Sequence, residues 1–294
     1  MRKNILLIYN PSAGKNGAGK LLPKAIQSLR NCGCRVTVFP VSKNYGAEDI
    51  IKDEASKADI VVCCGGDGTM NHTINGLMAL EKRPYLGYIP AGSTNDFAVS
   101  AGIEKDVGKN CRNIAGDRPF FYDIGKFNNL YFNYIAAFGA FTRVSYSTPQ
   151  SEKNALGHMA YIIEGVRNLP IGQYIELEYT HGGKEYSGEY IYGAVSNTKS
   201  VGGVNFRVLE DSDMDDGLFE VILIKRPKNI LDVQNIISAL ILENYKSPYF
   251  EYFKTNEIEF RFKQATSWTL DGEFGGETDR VNIKVENKAI GLLK

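Results

Sequence analysis

The stretch Asp59-Ile60-Val61-Val62-Cys63-Cys64-Gly65-Gly66-Asp67-Gly68-Thr69-Met70 runs from an apolar strand through a glycine-rich turn into a helix. An unbroken apolar run of this length, Ile60 to Cys64, fits a strand covered on both faces, which is the condition of strands in a parallel sheet. The apolar residues after Thr69 predict a helix over Met70 to Leu80. Working outward, Asn4 to Tyr9, Arg35 to Val41 and Tyr85 to Ile89 read as further strands, with helices over Leu21 to Leu29 and Ala47 to Ser56. Strands alternating with helices predict a parallel sheet covered by helices, with ligands beyond the carboxyl ends of its strands.

Past about residue 120 the pattern changes to alternating, aromatic-rich runs: Tyr131 to Ala137, Tyr174 to Tyr179, Glu189 to Ser196 and Leu218 to Ile224. These predict antiparallel strands, continued by Phe260 to Phe262, Ser267 to Leu270 and Val281 to Val285. Gly182-Gly183 reads as a hairpin turn. Helical spacing recurs over Leu156 to Leu169 and Ile230 to Leu242. The expected organisation is an α/β domain over residues 1–125 followed by a mostly β domain over 126–285.

Composition narrows the function classes. Lys plus Arg and Asp plus Glu number 34 each, so no global field draws the chain to nucleic acid, and no nucleic-acid partner is expected. The five cysteines, Cys32, Cys34, Cys63, Cys64 and Cys111, lack the spacing and histidine neighbours of a zinc site and read as reduced core thiols. No run reaches the roughly 20 apolar residues that span a bilayer. A cytoplasmic protein that touches a membrane only from outside is the expectation.

Three motifs follow three of the strands. Asn10-Pro11-Ser12-Ala13-Gly14-Lys15 offers backbone amides to an anion. In a longer frame Gly14, Gly19 and Lys20 match the P-loop spacing, but Leu21 replaces the Ser or Thr that would hold magnesium. In Gly65-Gly66-Asp67-Gly68-Thr69, three glycines let the backbone approach a polyphosphate, and Asp67 adds a carboxylate for Mg²⁺. The same turn also reads as an ordinary tight connection. Pro90-Ala91-Gly92-Ser93-Thr94-Asn95-Asp96-Phe97-Ala98 opens another helix, where Ser93, Thr94 and Asn95 equally suit plain capping. Three such loops at neighbouring strand ends make a polyphosphate cradle the stronger explanation.

Together NPSAGK, GGDGT and PAGSTNDFA resemble the diacylglycerol kinase catalytic domain family, and the whole chain looks like its small soluble bacterial members, lipid kinases related to diacylglycerol, ceramide and sphingosine kinases. Asp271-Gly272-Glu273 matches the family's D-G-E and Asp213 to Leu218 its D-G-x-L stretch. The resemblance implies a nucleotide-binding α/β domain similar to those of phosphofructokinases and NAD kinases, completed by residues 286–294. It implies a C-terminal β-sandwich for the lipid, with the active site in the cleft between the domains. ATP is then the phosphoryl donor, Mg²⁺ the cofactor and a lipid at a membrane surface the acceptor; the resemblance permits a homodimer.

Residue roles carry over by motif. Asn10, Gly65, Gly66, Gly68, Thr69, Thr94 and Asn95 are implied to bind ATP, Asp67 to organise Mg²⁺, and Asp96 and Asp123 to sit near the metal and its waters. Asp271 is implied to activate the acceptor hydroxyl with Glu273 in support, although Asp-Gly is also a common hairpin turn. Asp216, with the carbonyls of Asp213 and Leu218, matches a second, structural Mg²⁺ site. Asp211, Asp213, Asp215 and Asp216 imitate a calcium loop without its Gly and distal Glu spacing. Phe138, Phe141 and Tyr146, or Tyr245, Tyr249, Phe250, Tyr252 and Phe253, suggest lipid-facing lips, and equally core. An NAD kinase, which shares GGDGT, and a catalytically inactive nucleotide- or lipid-binding module are the competing readings.

Overall fold

The structure, a computed structural model, describes residues 2–14, 17–139, 163, 165–167, 172–197, 200–201, 204–205, 213–242 and 244–294. Lys15, Phe141, Tyr146, Glu210, Asp211 and most of the expected helix Leu156 to Leu169 lie outside the described residues. The chain divides into two compact units, residues 1–124 with 287–294, and residues 125–286.

The first unit contains β1 (Asn4–Tyr9), α1 (Gly17–Asn31), β2 (Arg35–Pro40), α2 (Ala47–Glu54), β3 (Ile60–Gly65), α3 (Asp67–Met78), β4 (Tyr85–Pro90), α4 (Asp96–Ser100) and α5 (Val107–Ile114). Its strands lie in the order β2-β1-β3-β4, all parallel, with Tyr9 beside Cys64 and Gly65 beside Pro90. Every residue of β3 is buried, as its unbroken apolar sequence requires. The final residues of the chain add to this sheet, Leu292 pairing with Leu86 and Leu293 with Gly87. Helix α5 was not legible in advance, because Gly108, Asn110 and Asn113 are weak helix formers; Asp106 caps it by accepting the Lys109 N–H at 2.8 Å. Helix α3 begins at Asp67 rather than at Met70, which puts Asp67, Gly68 and Thr69 inside its first turn.

Strand β5 (Pro119–Phe127) leads into the second unit. There follow β6 (Leu130–Phe132), β7 (Ile135–Gly139), β8 (Ile175–His181), β9 (Lys184–Ser196), the short pair β10 (Ser200–Val201) and β11 (Val204–Asn205), β12 (Phe219–Lys225), helix α6 (Ile230–Ile241), β13 (Phe250–Thr255), β14 (Glu257–Leu270) and β15 (Glu273–Leu293). Pairing is antiparallel in the order β13-β12-β9-β7-β14-β15, with β8 bonded to both β9 and β14. The turn Gly182-Gly183 closes the β8-β9 hairpin, both residues at positive φ. The expected single strand Tyr131 to Ala137 is two strands, broken at Asn133 and Tyr134.

An aromatic core holds this unit: the Trp268 ring lies 4.7 Å from Phe138 and 5.0 Å from Phe127, and Phe260 and Phe262 complete the cluster. Phe138 is therefore core, not a lip for lipid, and Tyr245 and Phe250 are likewise buried. Trp268 is fully buried. Replacing Trp268 with Ala should destabilise the protein by about 3–5 kcal/mol, the usual cost of removing a buried large aromatic. Urea denaturation measures it; a loss below about 1 kcal/mol would mean that this cluster does not hold the unit.

Candidate active site

In the first unit, three loops at the carboxyl ends of β1, β3 and β4 are bonded to one another. Asn10 ties the first to the second: its backbone N–H donates to the Cys64 carbonyl (3.0 Å) and its Nδ2 to the Thr69 Oγ1 (3.0 Å). Its Oδ1 accepts the Ser12 N–H at 2.9 Å, which shapes the NPSAG turn. The Ala91 N–H donates to the Gly65 carbonyl (2.8 Å) and joins the second loop to the third.

The glycines are required by closeness of backbone. A Cβ on Gly92 would lie 2.6 Å from the Gly66 Cα, and one on Gly14, whose φ is +68°, would lie 2.3 Å from the Ala91 carbonyl oxygen. Side chains at either place would push the loops apart.

Asn95 does not cap α4 with its side chain. It adopts φ +54° and closes a ring on Gly92, its Oδ1 accepting the Gly92 N–H (2.9 Å) and its Nδ2 donating to the Gly92 carbonyl (2.9 Å). Beneath it the buried Tyr88 hydroxyl stands 3.2 Å from both the Gly65 carbonyl and Asn95 Oδ1. Burial holds the Tyr88 phenol far above its ordinary pKa, so it stays a neutral donor. Thr94 is exposed, and Gly66, Asp67 and Gly68 are half-buried.

The acidic residues divide by environment. The Asp96 N–H lies 3.4 Å from Asp67 Oδ2, which brings these two acids together at the second and third loops. Asp123 is fully buried in β5, not in a turn, and its Oδ1 accepts the Lys288 N–H at 2.7 Å. It thereby fastens the returning C-terminal segment. Among the described residues no three His, Cys, Asp or Glu side chains form a metal cage. The hard oxygens of Asp67 and Asp96 fit Mg²⁺ that arrives with phosphates, since that ion takes one or two carboxylates and completes its shell with phosphate and water.

In the second unit Asp271 and Gly272 form the two-residue turn of the β14-β15 hairpin, at φ +52° and +86°. The bland reading of Asp-Gly is thus correct as geometry. The side chain does more. Asp271 is buried, and its carboxylate accepts three consecutive backbone N–H groups, from Asn133 (2.7 Å), Tyr134 (2.9 Å) and Ile135 (3.1 Å). Three of about four carboxylate lone-pair positions are therefore filled by amides. Glu273, two residues on, is exposed, and its side chain has no hydrogen-bond or ion-pair partner among the described residues.

At the expected second metal site, Asp216 Oδ1 accepts the Leu218 N–H (2.9 Å) while Gly217 turns at φ +78°. Lys254 Nζ lies 3.5 Å from Asp216 and 3.1 Å from the buried Glu220. Burial opposes the Lys254 charge, but bonding to Glu220 and the nearby Asp216 outweigh it and hold the ammonium above its usual pKa. Asp216 thus has a cation beside it, and Asp213 is exposed. The cysteines are free. Burial pushes the Cys63 and Cys64 thiols up to about 12 each, whereas Cys32 is exposed and not a core thiol.

The model of the diacylglycerol kinase catalytic domain matches residues 4–127. A diacylglycerol kinase of Bacillus subtilis (strain 168) is 33% identical over 276 residues, covering 93% of this chain and 91% of its own length. One from Staphylococcus aureus (strain MRSA252) is 32% identical over 280 residues, covering 94% and 88%. The chain belongs to the diacylglycerol kinase family. Its fold is shared with a solved diacylglycerol kinase of Bacillus anthracis str. Sterne, at a TM-score of 0.81 and 23% identity over 99% of this chain and 96% of that one. A second structure from the same organism gives 0.85 at 24% identity, over 99% and 95%. Membership of this family makes the chain a kinase, and it accounts for the motifs at both ends of the sequence.

Two glycine substitutions separate the loop contact from general effects. Gly92→Ala should weaken ATP binding by at least about tenfold, because the added carbon meets the Gly66 backbone. Gly19→Ala, where a Cβ meets nothing within 4 Å and a helix gains a better former, should leave binding unchanged. Titration of each variant with ATP in the presence of Mg²⁺ decides it; equal affinities would remove the loop contact from the binding site.

Proposed function

We propose that this chain transfers the γ-phosphoryl group of ATP to the hydroxyl of a membrane lipid, with diacylglycerol as the acceptor and phosphatidic acid as the product, in phospholipid metabolism. The observation that carries the reading is the fusion of the three glycine-rich loops into one surface by the Asn10 and Ala91 bonds, with Asn95 closing the third loop on Gly92. Family membership supports a lipid as the acceptor class.

Phosphoryl transfer needs alignment and charge neutralisation more than covalent help. The α3 first turn leaves amides without helical acceptors, so Gly66, Asp67, Gly68 and Thr69 present donors to phosphate oxygens. Asn10, Gly65, Thr94 and Asn95 extend that surface along the neighbouring loops. Mg²⁺, when bound with ATP, neutralises phosphate charge, and Asp67 and Asp96 would hold it. Asp123 acts at a distance, through the Lys288 bond that anchors the last strand.

The acceptor hydroxyl must give up its proton as its oxygen bonds to phosphorus and the bond to the leaving ADP oxygen breaks. Asp271, bound by three amides, fixes the hairpin; Glu273, exposed and unpaired, takes the proton. This reverses the order that the D-G-E resemblance implied.

The assay is γ-labelled ATP with Mg²⁺ offered to micelles of diacylglycerol, ceramide, sphingosine, monoacylglycerol and undecaprenol, with NAD as a soluble acceptor. Label should enter diacylglycerol; label in NAD alone, or nowhere, overturns the reading in favour of an NAD kinase or an inactive module. Glu273→Gln should lower kcat by at least about 100-fold and leave Tm unchanged. Asp271→Asn should lower both, because an amide NH₂ would face backbone N–H groups at a cost of about 1–3 kcal/mol. Full activity in Glu273→Gln would return the proton-accepting role to Asp271.

A further inference from the structure

The cysteines of the first unit differ in what surrounds them. Cys63 and Cys64 are buried in β3 and Cys111 in α5. Cys32 is exposed, and Cys34, two residues on, is only 2% exposed. This pair stands at the amino ends of β1 and β2, where the Arg35 N–H donates to the Lys3 carbonyl (2.8 Å). The three phosphate-facing loops follow the opposite, carboxyl ends of their strands.

Backbone geometry holds the two cysteines together. They close helix α1 in a tight turn: the Cys32 N–H donates to the Ser28 carbonyl (3.2 Å), the Gly33 N–H to Arg30 (2.9 Å) and the Cys34 N–H back to Leu29 (3.2 Å). Between them Gly33 sits at φ +83°, the left-handed corner that ends a helix. Successive Cα atoms are about 3.8 Å apart, so a corner at Gly33 keeps Cys32 and Cys34 within about 7 Å, the span that a disulfide bridges. Charge around the turn is positive. Arg2, Arg30 and Arg35 are exposed there, and Arg2 donates from Nε to the Gly33 carbonyl (3.1 Å). Burial, and then the neighbouring Cys32, raise the Cys34 thiol above its ordinary pKa, while Lys3 and Arg2 draw it back. Burial, with Cys32 again nearby, pushes Cys111 up to about 11. Cys34 is the buried thiol that the chain itself keeps within reach of Cys32.

We propose that Cys32 and Cys34 form a thiol–disulfide exchange site for low-mass disulfides that carry carboxylates. The Cys32 thiolate attacks one sulfur of the disulfide and expels the other as a thiolate, which leaves a mixed disulfide on Cys32. The Cys34 thiolate then attacks the Cys32 sulfur, and the second small thiolate leaves. The two cysteines lose two electrons and two protons, and the small disulfide gains both as two thiols. Arg2, Arg30 and Arg35 favour the attacking thiolate and attract the carboxylates. An exposed bridge across so short a span is readily reduced again, so the site follows the thiol–disulfide balance around it. Exchange here needs nothing from the proposed kinase reaction.

Trypsin cuts after Arg30 and Arg35 and releases Asn31 to Arg35, a peptide that holds both cysteines and no other. The whole folded chain, first reduced and then exposed to oxidised glutathione, should yield this peptide two hydrogens lighter than its reduced form and closed to alkylation. Dithiothreitol should restore both thiols. Cys34→Ala should stop with glutathione on Cys32. Cys32→Ser, at an exposed position where Tm should hold, should slow the loss of alkylatable Cys34 at least about tenfold. A parent that keeps glutathione on Cys32 with Cys34 still open to alkylation overturns the pairing, as does a cross-link from this peptide to the one containing Cys111. A parent in which both cysteines stay reduced until urea unfolds the chain overturns the site altogether.

Discussion

The first unit depends on two backbones meeting where no side chain fits. Gly66 and Gly92 follow adjacent parallel strands whose last paired residues are Gly65 and Pro90, so the strand register delivers them to the same place. The Ala91 N–H then finds the Gly65 carbonyl and Asn95 closes on Gly92. Tyr88, pinned under both, transmits the position of the buried sheet to the loops. Loops supported in this way keep their amides aimed.

The second unit solves the opposite problem, a charge taken out of water. Asp271 is buried in an Asp-Gly turn, and β6 and β7 separate at Asn133 and Tyr134 because these backbone amides leave the ladder to bind its carboxylate. The break between β6 and β7 thus supplies the amides that hold the β14-β15 turn. Turn and site readings of Asp271-Gly272 describe the same two residues: positive φ makes the corner, and the corner aims the carboxylate inward.

These constraints explain what the sequence could disclose. Strands β1, β3 and β4 were legible because each is a largely apolar run bounded by polar or glycine-rich turns, and β3 in particular is buried throughout. The start of α3 was placed late because Gly68 and Thr69 have poor helix propensity. Strands β14 and β15 looked fragmentary because each crosses exposed stretches, such as Lys263 to Ala265. The gap at Asn133 was illegible: its cause lies 138 residues away in Asp271. Motif and spacing do not reveal which carboxylate is sequestered by amides. Lys254 beside Asp216 likewise emerges only from the pairing of β12 with β13.

That distinction orders the acids by what their oxygens already do. Asp123 spends one oxygen on the Lys288 N–H, and Asp271 gives both to amides; each bond fixes a chain segment and leaves less capacity for a substrate or metal. Glu273 and Asp67 stand nearer solvent, the first unpaired and the second beside the Asp96 amide. Proton transfer requires an acceptor whose lone pair can meet the hydroxyl, and metal binding requires oxygens not committed to N–H donors. Asp123 and Asp271, buried and bound by backbone amides, therefore belong to the frame.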